Sequence, residues 1–293
     1  MVSEELIMLY LRHFGLQQTP FSLTPNTAFY VNLPQHHEAM QVLTTALNTG
    51  EGFIKVTGEV GTGKTMLCRK LMNEAPDDWK IAYIPDPYLS PLELRWAFAS
   101  ELGLKQADGI DNQQLVQLLQ HCLVALAAEE KRVVLIIDEA QHLQPAVLEQ
   151  LRLLTNLETN TKKLLQVILI GQPELQQLLQ RQDLRQLAQR ITARYHLMPL
   201  TEQEVQQYIS YRLQVAGCSR PVFTSSAVKK LFQLSGGIPR LLNLICDRAL
   251  LGGYSQQKAL IDAGLVSQAA SEVLAIKPQL EKAAWPVWLW PVL

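Results

Sequence analysis

An α/β fold with a parallel sheet flanked by helices, followed by a small all-α unit, is the class that three observations predict. The first is the run Gly58-Glu59-Val60-Gly61-Thr62-Gly63-Lys64-Thr65, set between a short β-branched stretch and a helix-forming one. The second is a pair of continuous apolar runs, Val133-Val134-Leu135-Ile136-Ile137 and Leu164-Leu165-Gln166-Val167-Ile168-Leu169-Ile170, as strands covered on both faces require. The third is a change of pattern beyond Thr201, where only helical periodicity remains.

Each element has its local reason. Residues 9–34 carry Gly15, Pro20 and Pro25, which predict an extended N-terminal lead-in packed on a domain, and Met8 offers an alternative start. Pro34 opens a helix whose apolar face is Ala39, Met40, Leu43, Ala46 and Leu47, stopped by Asn48-Thr49-Gly50. Gly52 to Thr57 form the first strand, and Met66 to Met72 continue the helix after the loop. Ile81 to Ile84 read as a second strand, after which Ser90-Pro91 supply a cap and a first-turn proline for 91–103. Asp111 opens an amphipathic helix over 111–130, and another lies near 145–157. Arg181, Arg185, Arg190 and Arg194 fall in a polar helical stretch before a short strand, Tyr195 to Met198. Thr201-Glu202-Gln203-Glu204 is a capping box, Thr224 caps the next helix, and Ser235-Gly236-Gly237-Ile238-Pro239-Arg240 stops one helix and starts another. Helices near 239–253 and 262–275 finish the pattern.

With 293 residues, 48% of them hydrophobic, the chain is long enough for two packed units. A formal charge of -1 excludes a global positive field that would recruit nucleic acid. Cys68, Cys122, Cys218 and Cys246 are scattered with no CxxC pair, which disfavours zinc and a disulfide framework and suits core thiols in a reducing compartment. The acidic start lacks the basic region of a secretory signal, so a cytoplasmic location is expected. The apolar tail, 285–293, contains three tryptophans and two prolines and suits either contact with a membrane surface or partner, or packing back onto the domain.

The spacing GxxxxGKT, in a strand-loop-helix context, is a phosphate-binding loop. Backbone N–H groups across Gly58, Glu59, Val60, Gly61, Thr62, Gly63, Lys64, Thr65 and Met66 can turn toward phosphate oxygens at a helix N-terminus. Lys64 is placed to reach the terminal phosphates and the Thr65 hydroxyl to ligate Mg²⁺. Asp138 and Glu139, adjacent acids at the end of a buried strand, match the second nucleotide motif: Asp138 for Mg²⁺ and Glu139 for orienting the attacking water. Gln172 follows the next strand, where it suits either a phosphate or water contact or a helix cap. Arg190 and Arg194, four apart, share a face if the helix continues that far, and suit either a charge presented to a neighbouring subunit or a solvated face. Arg240 in a helix first turn opposes the helix dipole and is better explained by an anionic partner, a nucleotide phosphate.

These motifs, in this order, resemble the AAA+ ATPases among P-loop NTPases. More closely, Phe14-Gly15-Leu16, Pro20-Phe21-Ser22-Leu23-Thr24-Pro25, Asp138-Glu139-Ala140-Gln141, Gly171-Gln172-Pro173-Glu174-Leu175 and Gly236-Gly237-Ile238-Pro239-Arg240 resemble signatures of the ExeA/GspA family of secretion-pathway ATPases. The resemblance implies a lead-in over 1–34, an AAA+ core over 35–199, a helical lid over 200–275 and a tail over 276–293. It places Gln172 at sensor 1, Arg190 or Arg194 at the arginine finger and Arg240 at sensor 2. It also implies ATP and Mg²⁺ as ligands, a homo-oligomer, and pilus-assembly or secretion partners at the inner membrane. A similar family of DNA-transposition regulator ATPases is the alternative, which the near-neutral charge disfavours, as is a nucleotide-gated scaffold with little turnover.

Overall fold

The computed structural model describes residues 4–105, 111–158 and 163–275. They divide into two compact units, one from Asn32 to Met198 and one that joins Met1–Val31 with Pro199–Leu293. The Trp-rich tail lies outside the described residues. No helix among those described is long and apolar enough to cross a membrane.

The lead-in opens as a helix, α1 (Glu4–Phe14), rather than as extended chain; Gly15, with φ +72°, ends it. In the first unit to form a sheet, α2 (Pro34–Asn48) precedes β1 (Phe53–Gly58), α3 (Lys64–Glu74), β2 (Trp79–Ile84), α4 (Pro91–Glu101) and α5 (Asn112–Ala128). Then follow β3 (Arg132–Ile137), α6 (Pro145–Leu154), β4 (Gln166–Gly171), α7 (Glu174–Leu179), α8 (Arg185–Arg190) and β5 (Ile191–Leu197). The five strands are all parallel, in the order β2-β3-β4-β1-β5.

The alternation of strand side chains divides the core into two layers. Val133, Leu135 and Ile137 of β3 join Leu94, Leu119, Leu148 and Leu151 on one face. Val134 and Ile136 join Ile54, Val56, Leu43, Leu67 and Leu71 on the other. Each fully buried leucine or isoleucine contributes about 1.5–3 kcal/mol, so both layers hold the sheet rigid under the loops at its carboxyl edge. Helix starts are set by side chains: Ser90 with Glu93 and Asp111 with Gln114 both form reciprocal capping boxes.

β5 is longer than the sequence pattern indicates, and α8 stops at Arg190. Arg190 and Arg194 therefore do not share a helical face: Arg190 ends a helix and Arg194 projects from an edge strand. Ile191 and Thr192 are β-branched, and pairing with β1 outweighs the polar helical composition around them.

The other unit is all helical in its described residues apart from an isolated bridge between Phe223 and Ile261. It comprises α1, a 3-10 turn at Thr27–Phe29, α9 (Glu202–Val215), α10 (Ser225–Ser235), α11 (Pro239–Ser255) and α12 (Ala263–Ala275). Thr201 caps α9 in a box with Glu204, and Thr224 accepts from the Ala227 amide at the start of α10. The lead-in is bound to this unit by Arg212, 5% exposed, whose guanidinium donates to Pro20 O at 2.5 Å, Ser22 O at 3.4 Å and the Tyr208 hydroxyl at 2.7 Å. The same group lies over the Phe29 ring at 5.0 Å and the Tyr208 ring at 5.4 Å.

Candidate nucleotide site

Three strand ends build the site. β1 ends in the Gly58–Thr65 loop, β3 ends at Asp138 and Glu139, and β4 ends at Gln172. Because β4 lies between β1 and β3, their carboxyl ends face one crevice, where ligands bind in open parallel sheets.

The loop has no room to be other than it is at two glycines. A Cβ on Gly58 would meet Leu197 O at 2.7 Å and Thr62 Oγ1 at 2.9 Å. Gly63 has φ +103°, a left-handed conformation costly for other residues, and it launches α3. Thr62 Oγ1 donates to Glu59 O at 2.8 Å and tightens the turn. Lys64 is 5% exposed, and its ammonium donates to Gly58 O at 2.8 Å and Glu59 O at 3.0 Å, so the side chain curls back over its own loop. Burial lowers the Lys64 pKa, and the nearby charges of Glu139, Asp138, Glu59 and Glu174 oppose that effect.

Thr65 Oγ1 donates to Asp138 Oδ2 at 2.8 Å, which brings the two expected Mg²⁺ ligands together across the width of β4. Asp138 is 2% exposed. Burial pushes its pKa up against the hydrogen bonds from Thr65 and from the Glu139 amide. A hydroxyl and a carboxylate beside a lysine-bearing loop are hard oxygen donors that fit Mg²⁺ alongside substrate phosphates. Among the described residues no cluster of three or more His, Cys, Asp or Glu could hold a metal by itself.

Glu139 sits at φ +49°, an unfavourable conformation for a non-glycine residue that costs of order 1–3 kcal/mol. It aims the carboxylate into a pair of amides: Gln141 Nε2 donates to Oε2 at 2.6 Å and Gln172 Nε2 donates to the same oxygen at 3.1 Å. Gln141 Oε1 in turn accepts from the Gln172 backbone N–H at 3.0 Å, closing the cluster. Burial raises the Glu139 pKa, but the two amides and the charges of Lys64 and His142 outweigh it, so the carboxyl lies below the ordinary glutamate value. The Gln172 side chain thus contacts Glu139 and does not cap α7, though it is only partly buried. The sequence gives Gln141 no role beyond its place in the Asp138-Glu139-Ala140-Gln141 signature; its part in the site follows from the left-handed backbone at Glu139.

Arg190 and Arg194 lie apart from this cluster. Arg190 donates to Arg152 O at 3.3 Å and to Asn156 Oδ1, beside Gly50, Gly52 and Phe53 at the start of β1. Six strand residues at about 3.3 Å each separate it from its own loop. Arg194 donates to Ile191 O at 3.1 Å and Ala188 O at 3.2 Å. Arg240 is exposed in the first turn of α11.

Residues 47–179 match the family model described as AAA domain. The chain is 51% identical over 271 residues to general secretion pathway protein A of Aeromonas hydrophila, which covers 92% of this chain and 50% of that protein. The chain thus carries an AAA domain and is similar along most of its length to general secretion pathway protein A. It spans about half the length of that relative. The same fold is found in solved structures of low identity. One is Cdc6p from Pyrobaculum aerophilum, with TM-score 0.70 and 20% identity over 87% of this chain and 70% of that one. Another is a Walker-type ATPase of Pyrococcus abyssi, with TM-score 0.61 and 18% identity over 90% of this chain and 79% of that one.

Proposed function

We propose that this chain binds ATP with Mg²⁺ and hydrolyses it in an oligomer, to drive or regulate a pilus-assembly or secretion machine at the inner membrane. The observation that carries the reading is the convergence of Lys64, Thr65, Asp138 and a clamped Glu139 at the carboxyl ends of β1 and β3, across β4.

In this reading, the loop amides and Lys64 bind the β- and γ-phosphates, and the lysine leaves the Gly58 and Glu59 carbonyls to do so. Thr65 and Asp138 hold Mg²⁺, which when bound offsets the charge on the phosphate oxygens. Glu139, ionised because its pKa is held down, accepts a proton from water and orients it in line with the γ-phosphorus. Gln141 and Gln172 fix the rotamer of that base. Arg190 ends α8 beside the start of β1, the length of that strand from its own loop, so its proposed role is in a neighbouring subunit, where such arginines contribute about 10³–10⁵ in rate. Arg240 is proposed to sense the nucleotide phosphate. The partners and the peripheral cytoplasmic location are proposed on the similarity to general secretion pathway protein A.

The test is ATPase rate per subunit against protein concentration, for the native chain and for Arg190→Ala. The rate of the native chain is expected to climb with concentration, and that of the variant to stay low throughout. A native rate independent of concentration would remove the trans arginine.

A further inference from the structure

A second polar cleft opens on the β1–β5 side of the sheet, lined by Lys55 and Thr57 of β1, Gln176 and Leu179 of α7, Gln180, Ala188 of α8, and Ile191, Arg194, Tyr195 and His196 of β5. Its volume is about 400 Å³, and among the described residues no carboxylate lines it. We propose that this cleft binds the phosphate group of a small phosphate monoester, with Lys55 at its base and Arg194 and His196 at its mouth.

The case begins with Lys55, which is 8% exposed yet makes no hydrogen bond or ion pair among the described residues. An ammonium held at the base of a cleft, largely covered and without a counter-charge, is costly. Here the cost is compounded, because the residue paired with Lys55 across the parallel ladder is Arg194. Burial lowers the Lys55 pKa first, and the Arg194 charge lowers it further. Two other buried cations among the described residues are met by acceptors: Lys64 by carbonyls and Arg212 by carbonyls and a hydroxyl. Nothing of that kind reaches Lys55.

The rest of the lining suits an oxyanion. Thr57 Oγ1 and His196 Nδ1 are 2.9 Å apart, which fixes the orientation of the ring; when the hydroxyl donates to Nδ1, or the ring is protonated, Nε2–H is left to donate. Gln176 and Gln180 supply amide donors, and Leu179, Ala188 and Ile191 supply an apolar wall for an organic group. Two cations match a phosphate dianion, whereas a carboxylate would leave one of them uncompensated. The cleft is separate from the Gly58–Thr65 loop, and the proposal stands whether or not that loop binds ATP.

The test separates the two anion sites by variants. Inorganic phosphate is titrated at constant ionic strength, set with sodium chloride, while the thermal midpoint of the full chain is read. Lys64→Ala should keep a phosphate-dependent rise, and Lys64→Ala with Lys55→Met should require at least tenfold more phosphate for the same rise. Lys55→Met removes a buried charge, so without phosphate its midpoint is expected to equal or exceed that of the native chain. Should that variant fail to fold, Arg194→Gln in the Lys64→Ala background should weaken the response at least threefold. Acetate in place of phosphate should act only at much higher concentration. A phosphate response abolished by Lys64→Ala alone, or unchanged by the Lys55 and Arg194 substitutions, or matched by acetate, would overturn the proposal.

Discussion

Two buried charged clusters, one in each unit, use their side chains in opposite ways. In the helical unit Arg212 spends every contact on its own chain: two lead-in carbonyls, a tyrosine hydroxyl and the faces of aromatic rings. Its charge is satisfied, and its effect is to fix the Pro20 to Ser22 segment on α9. In the sheet unit Lys64 and Asp138 sit as deep and Glu139 is half-buried, yet their partners are carbonyls of a flexed loop, a hydroxyl and two amides that leave charge directed into a crevice. Burial alone does not distinguish structure from function. What distinguishes them is whether the chain itself completes the shell of a buried charge.

The comparison can be broken from either side. Its largest expected effect is Glu139→Gln, which keeps size and both strand ends but removes the base. Turnover should fall about 10²–10⁴-fold with ATP still bound, read as single-turnover hydrolysis beside equilibrium binding. Next is Arg212→Met, which leaves the Pro20 carbonyl and the Tyr208 hydroxyl short of a partner. Denaturant unfolding should show a loss of about 2–4 kcal/mol. If Arg212→Met instead left stability intact, Arg212 would belong with the functional charges.

A smaller effect is expected for Gln141→Leu. The amide clamp only orients Glu139, so kcat should fall about 10–100-fold while KM for ATP stays within a factor of two or so, a split visible in steady-state kinetics. The smallest concerns Lys55, whose folded-state pKa is depressed. The native state then loses this proton before the unfolded state does, so stability rises with pH below the ordinary lysine value of 10.5. Arg194 and His196 share the cleft, and Arg194 keeps its charge across that range. Chemical denaturation between neutral pH and that value should show a rise for the native chain that Lys55→Met flattens.

Much of the architecture was legible because the physics was local. The strands with Val133 to Ile137 and Val167 to Ile170 are apolar at every or nearly every position, which only a doubly covered parallel strand tolerates. Ser90, Asp111, Thr201 and Thr224 declare helix starts through their own side-chain acceptors. The site's loop and acid pair were legible for a related reason, since phosphate and magnesium chemistry demand those residue types at that spacing. What escaped was set by distant partners. The helix over Glu4–Phe14 was hidden by prolines that begin only at Pro20. Arg194 belongs to a strand because β1 offers an edge for it, not because of its neighbours in sequence. Gln141 becomes part of the site only because Glu139 adopts a left-handed backbone, a conformation that no side-chain pattern announces.

The most direct measurement is equilibrium binding of ATP in the presence and absence of Mg²⁺, for the native chain and for Lys64→Ala. The account predicts saturable, Mg²⁺-strengthened binding by the native chain and at least about tenfold weaker binding by the variant, as expected for losing a charge-assisted phosphate contact. Equal affinity in the two proteins, or no binding by the native chain, would contradict it.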